Sequence, residues 1–113
     1  MKLELELAAE SIPPGGTVAG RIKVAEGGDS RELTLTLTFY EHTRDFTIPA
    51  AQTSAVVHQG AVTTGDAYEF SFALPEDAVP SVETKNGKLY WELELRSDEP
   101  GFDTHVRREL RVG

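Results

Sequence analysis

Leu3, Leu5 and Leu7 recur at every second position, with Glu4 and Glu6 between them. At helical spacing these leucines would scatter around an axis; at period two they line one face of an extended strand. The beat returns along the chain. Val18, Ile22 and Val24 share a face that includes Gly20. Leu33, Leu35, Leu37 and Phe39 oppose Thr34, Thr36, Thr38 and Tyr40. Tyr68, Phe70, Phe72 and Leu74 follow, then Leu89, Trp91, Leu93 and Leu95, and finally Val106, Leu110 and Val112. The pattern predicts strands over 2–9, 17–25, 31–41, 67–74, 88–97 and 104–112. A weaker seventh is expected over 54–62, and a short one over 46–48 that Pro49 ends.

Turn chemistry separates the runs: PPGG at 13–16, EGGD at 26–29, TTGD at 63–66, NG at 86–87 and EPG at 99–101. About seven short antiparallel strands, each apolar on one face, require a second sheet to cover that face. The expected fold is therefore an all-β, immunoglobulin-like antiparallel β-sandwich. One sheet is expected to hold 2–9, 17–25 and 67–74 with the weak 54–62 strand at its edge, and the other 31–41, 88–97 and 104–112.

The register of the first pair is readable. With PPGG in the turn, Leu5 falls opposite Ile22 and Leu3 opposite Val24, while Glu6 meets Arg21 and Glu4 meets Lys23. Both faces agree, and opposite charges across a pair contribute roughly 0.2–1 kcal/mol each. The polar run 76–87 reads as a connection between sheets, and the alternation resumes where the chain re-enters the core, with Trp91 as a core anchor.

That passage also carries a family resemblance. Phe70, Phe72, Leu74 and Pro75 lead into Pro80, Ser81 and Glu83, then Gly87, and four residues later Trp91 on a strand. The order resembles the arrestin domain, of the type at the N-terminus of alpha-arrestins, with Trp91 where that family usually has Tyr. GGTVAGRIKV at 15–24 and LTLTLTFYEHT at 33–43 resemble its earlier strands. Single domains of bacterial sporulation-control-like proteins are similar in the same way. The resemblance runs from Leu3 to Val112 and implies the arrestin-type sandwich. The only Pro-Pro here precedes Gly-Gly, so the Pro-Pro-x-Tyr motifs that recruit ubiquitin ligases have no counterpart.

At 113 residues the chain fits one domain over 1–113. It contains no cysteine, which removes disulfide and thiolate-metal frameworks and fits a reducing, cytoplasmic setting. The acidic start MKLELELAAE lacks the apolar core of a secretory signal. No apolar run approaches the roughly 20 residues of a membrane span, so no membrane insertion is expected. A net charge of −8, with no basic cluster beyond Arg107–Arg108, argues against nucleic acid.

Candidate chemistry is sparse. His42, His58 and His105 form no metal-ligand spacing, the Glu4/Glu6 and Glu92/Glu94 pairs read as solvated faces, and no serine lies in a nucleophile motif. Neither a catalytic site nor a cofactor is expected. Arg108 interrupts the apolar alternation of the last strand. It is an inward charge guarding an edge, a residue turned outward by a bulge, or part of a polar-core salt bridge.

Phe102, at a hairpin tip, is a partner contact or folds back over the sandwich end, the second being favoured. The expected function is a non-enzymatic, adaptor-type protein-binding or scaffold module. Partners would dock on loops or on the free edges at 54–62 and 104–112, through Phe102, Val56, His58 and Arg107. The alternative is a homo-oligomeric structural subunit pairing through those edges.

Overall fold

The computed structural model describes residues 1–113 and contains no helix. Strands β1 (Lys2–Leu7), β3 (Thr17–Glu26) and β6 (Ala67–Ala73) form a small sheet in the order β1-β3-β6. The large sheet runs in the order β2-β9-β8-β4-β5, from β2 (Ser11–Ile12) through β9 (Thr104–Val112), β8 (Gly87–Asp98) and β4 (Glu32–Thr43) to β5 (Thr47–Gln59). A short β7 (Val82–Thr84) pairs with the start of β8. Every pairing is antiparallel except β2 with β9.

The two sheets face each other through the alternating residues. Val18, Ile22, Leu33, Leu35, Leu93 and Leu95 are sealed from solvent, and Trp91 and Phe39 pack with ring centroids 5.2 Å apart. The indole N–H of Trp91 donates to the Val79 carbonyl at 2.8 Å, tying the crossover down onto β8. The polar run after Leu74 is thus a sheet-to-sheet connection anchored by the strand that follows it. Tyr68, Phe70 and Phe72 are only partly buried, because β6 is the outer strand of the narrow sheet.

The β1–β3 register is the one that side-chain matching predicts: Leu3 opposite Val24, Glu4 opposite Lys23, Leu5 opposite Ile22 and Glu6 opposite Arg21. The connection differs from a simple hairpin. Residues 8–16 cross to the large sheet, where Ser11 and Ile12 run beside Arg111 and Val112. Matched faces, not a tight turn, set this register. The ion pairs also shift, since Lys23 reaches diagonally to Glu6 at 3.0 Å and shares it with Arg21 at 3.5 Å, leaving Glu4 unpaired. Gly20 is required at this point. A Cβ there would collide with the Glu6 carbonyl oxygen and lie 2.9 Å from the Phe70 ring.

The expected weak strand at 54–62 is corrected in place and extent. It belongs to β5, which starts at Thr47 and pairs with β4 in the large sheet rather than with the small one. The two-residue turn at Arg44–Asp45 closes a β4–β5 hairpin, with Thr43 N–H donating to the Phe46 carbonyl at 2.8 Å. Pro49 does not end the strand, because an edge strand tolerates a missing N–H. The register slips once beside it, between Phe39 and Tyr40, and again between Leu33 and Thr34.

Candidate functional site

The large sheet has more strands than the small one, and β5 lies beyond its cover. Every residue of β5 from Thr47 to Val56 is exposed, on both faces, and its outer edge has no strand beside it. Between the two register slips, Ala51–Val56 pairs regularly with Phe39–Thr34. Six large apolar side chains are exposed in the molecule, and three of them, Phe46, Ile48 and Val56, lie on β5 or directly before it.

Charge divides the outer face of the large sheet into two halves. On the β4–β5 side, Thr36 and Ser54 hydroxyls lie 3.0 Å apart and the Gln52 amide donates to Thr38 Oγ1 at 3.2 Å. No Lys, Arg, Asp or Glu stands between Asp45 and Asp66. On the β8–β9 side, Arg107 Nε lies 2.7 Å from Glu94 and 3.6 Å from Glu92, Lys88 pairs with Glu109, and Arg96 approaches Asp103 at 3.8 Å. Burial under this ladder raises the Glu92 carboxyl above its ordinary range, with Arg107 acting against it and Glu94 and Glu109 adding to it. The hydrogen bond to Glu109 raises Lys88, whose ammonium also sits 4.9 Å over the Tyr90 ring. Desolvation raises the Tyr90 phenol, whose ring stacks on Tyr40 at 5.3 Å.

Strand β9 ends differently from β5. Arg108 sits opposite Leu93, at an inward position of an unbroken register, and its guanidinium turns out of the sandwich side to Glu10 at 3.3 Å. The register therefore contains no bulge at Arg108, which occupies an inward position while its side chain stays exposed and its partner Glu10 lies outside the core. Arg111 N–H donates to the Glu10 carbonyl at 2.8 Å, so the segment leading into β2 closes this flank.

The four candidate contact residues separate into two groups. Val56 and His58 both lie on β5. Val56 is 53% exposed; the His58 ring packs tilted against Tyr68, centroids 4.6 Å apart, with Nε2 3.3 Å from the Ala61 carbonyl, bridging the two sheets at that end. Arg107 belongs to the ion-pair ladder on the opposite side. Phe102 does not fold back. It is 97% exposed, because Glu99 N–H donates to Asp103 Oδ1 at 3.1 Å and Gly101 takes a φ of 93°, which closes the loop with its tip pointing away.

Sequence reading missed one feature. The tips of the β4–β5 and β7–β8 hairpins flank a shallow cleft of about 440 Å³, lined by His42, Arg44, Glu83, Lys85 and Asn86 among others, with no apolar side chain. Arg44 and Lys85 make no ion pair, but nothing in the local sequence signals that the two tips are neighbours; only the β4–β8 ladder, running out to Thr43 opposite Gly87, brings them together.

Two layers, a parallel β2–β9 contact and the crossover after β6 define the architecture. Spo0M, a sporulation control protein from Bacillus subtilis, has a structure similar to this one, with a TM-score of 0.66 over 98% of this chain at 20% sequence identity. The fold is an arrestin-type sandwich. The chain spans 48% of the Spo0M chain. The C-terminal domain of wzt is also similar, with a TM-score of 0.51 over 99% of this chain and 71% of that one, at 16% identity. No family model and no curated protein matches the sequence. At these identities the likeness concerns the arrestin-type fold alone.

Proposed function

We propose that the protein is a non-enzymatic, adaptor-type association module of the cytoplasm that takes up an extended protein segment along β5. One observation carries this reading. Among strands longer than two residues, β5 alone has no Lys, Arg, Asp or Glu, and from Thr47 to Val56 it is exposed on both faces along a free edge. Sheet edges ordinarily carry charge or cover against added strands. An edge without either supplies backbone donors and acceptors to an incoming strand, while Ile48 and Val56 offer apolar contact beside them. A control protein built on the same fold is compatible with a regulatory role of this kind.

A photoreactive residue placed at Ser54 or, separately, at Glu109 tests the reading in living cells. Cross-linked protein adducts are expected from Ser54 and not from Glu109. Adducts from Glu109 alone, or from neither position, contradict it.

A further inference from the structure

Resting on that edge-docking reading, we infer that the segment taken up by β5 is β5 of a second copy, paired antiparallel about a two-fold axis. Three features select this occupant. The chain carries a net charge of −8, so two copies repel over most of their surfaces, and the flank they can bring together without meeting charge is the one from Phe46 to Gly65. A closed two-fold contact uses the same patch twice, and an antiparallel strand edge is complementary to itself without any change of sequence. The uncharged outer-face neighbours Thr36, Thr38, Gln52 and Ser54 extend the neutral zone a full strand inward, so no carboxylate or ammonium is desolvated at the seam.

The regular run Ala51–Val56 fixes the register narrowly. A two-fold perpendicular to the sheet places one residue opposite its own copy, and the midpoint of the run makes that residue Thr53 or Ser54. In either case Thr53 lies beside its own copy, directly across at about 5 Å or diagonally at about 7–8 Å. Thr53 is exposed and makes no side-chain hydrogen bond. The two large sheets join edge to edge into one continuous sheet, with both small sheets on the same side.

Sedimentation equilibrium of the pure protein tests this, with a charge-swap pair. The wild type is expected to reach two copies at high micromolar concentration. Thr53→Lys and Thr53→Glu each bring like charges together and are expected to raise the dissociation constant at least about tenfold. An equimolar mixture of the two variants is expected to recover a two-copy species. Val82→Lys, at an exposed apolar position on β7, is expected to leave association unchanged. Thermal midpoints matching the wild type verify that the Thr53 variants are folded. A wild type that stays single at millimolar concentration, a dimer indifferent to Thr53→Lys, or variants that remain apart on mixing overturns self-pairing. If Ser54 still cross-links to other proteins in that event, edge docking stands without it; if it does not, both fail.

Discussion

Strand β9 flanks the large sheet on one side with Arg107, Arg108, Glu109 and Arg111; strand β5 ends it on the other with no charged residue at all. The β9 flank is also covered in part by β2 and closed by the Arg108–Glu10 ion pair, whereas the β5 flank keeps both faces in solvent. Both strands belong to the same sheet and experience the same tendency to add a further strand. Charge and cover on one flank, and neutrality on the other, are what distinguish an edge protected from pairing from an edge open to it.

The comparison breaks first if the two flanks contribute alike to folding. Leu93, on β8 between Leu37 and Arg108, is sealed in the core that the covered part of the large sheet rests on. Leu93→Ala is expected to cost about 2–5 kcal/mol in chemical denaturation. Thr53→Ala on β5 is expected to stay within about 0.5 kcal/mol. Next in size is Trp91→Phe, which leaves the Val79 carbonyl without its indole donor and is expected to cost about 1–3 kcal/mol.

Smaller in stability but sharper in meaning is Arg108→Leu. It removes an exposed ion pair worth at most about 1 kcal/mol. It also removes the inward charge from β9, so light scattering is expected to show new association that Thr53→Lys does not abolish. No change in association would show that Arg108 guards nothing.

The smallest effect is one of pH. The hydrogen bond from Lys23, aided by the charges of Lys23 and Arg21, holds the Glu6 carboxyl below its ordinary value of 4.5. A depressed folded value stabilises above the ordinary carboxyl range, and that contribution is lost as pH falls through the folded value. Glu6→Gln is therefore expected to flatten the acid limb of the stability curve. Burial acts oppositely on Glu92, which in NMR titration is expected to protonate above 4.5 while Glu6 protonates below it.

How much of this was legible in the chain follows from what alternation reports. Period two marks strands with one buried and one wet face, so Leu3 to Leu7, Leu33 to Phe39 and Leu89 to Leu95 were readable, and the charge match of Glu6 with Arg21 fixed a register. Strand β5 has no buried face, so it lacks the beat, and alternation alone divides it and points to the wrong sheet. Its neutrality was in plain view but acquires meaning only once the strand is known to lie at an edge. At Phe102 apolar character favours burial, whereas the Gly101 turn and the Asp103 cap decide where the tip points. Val56 and His58 lie on an edge strand, though of the other sheet from the one expected, and the carboxylate partners of Arg107 on β8 are visible only in the paired sheet.

The most direct measurement is a concentration series of backbone amide NMR spectra on the pure protein. Association through β5 predicts that signals from Ala51–Val56 shift or broaden as concentration rises, while those from Thr104–Val112 stay fixed. Shifts centred on Thr104–Val112, or no concentration dependence in either strand, would contradict it.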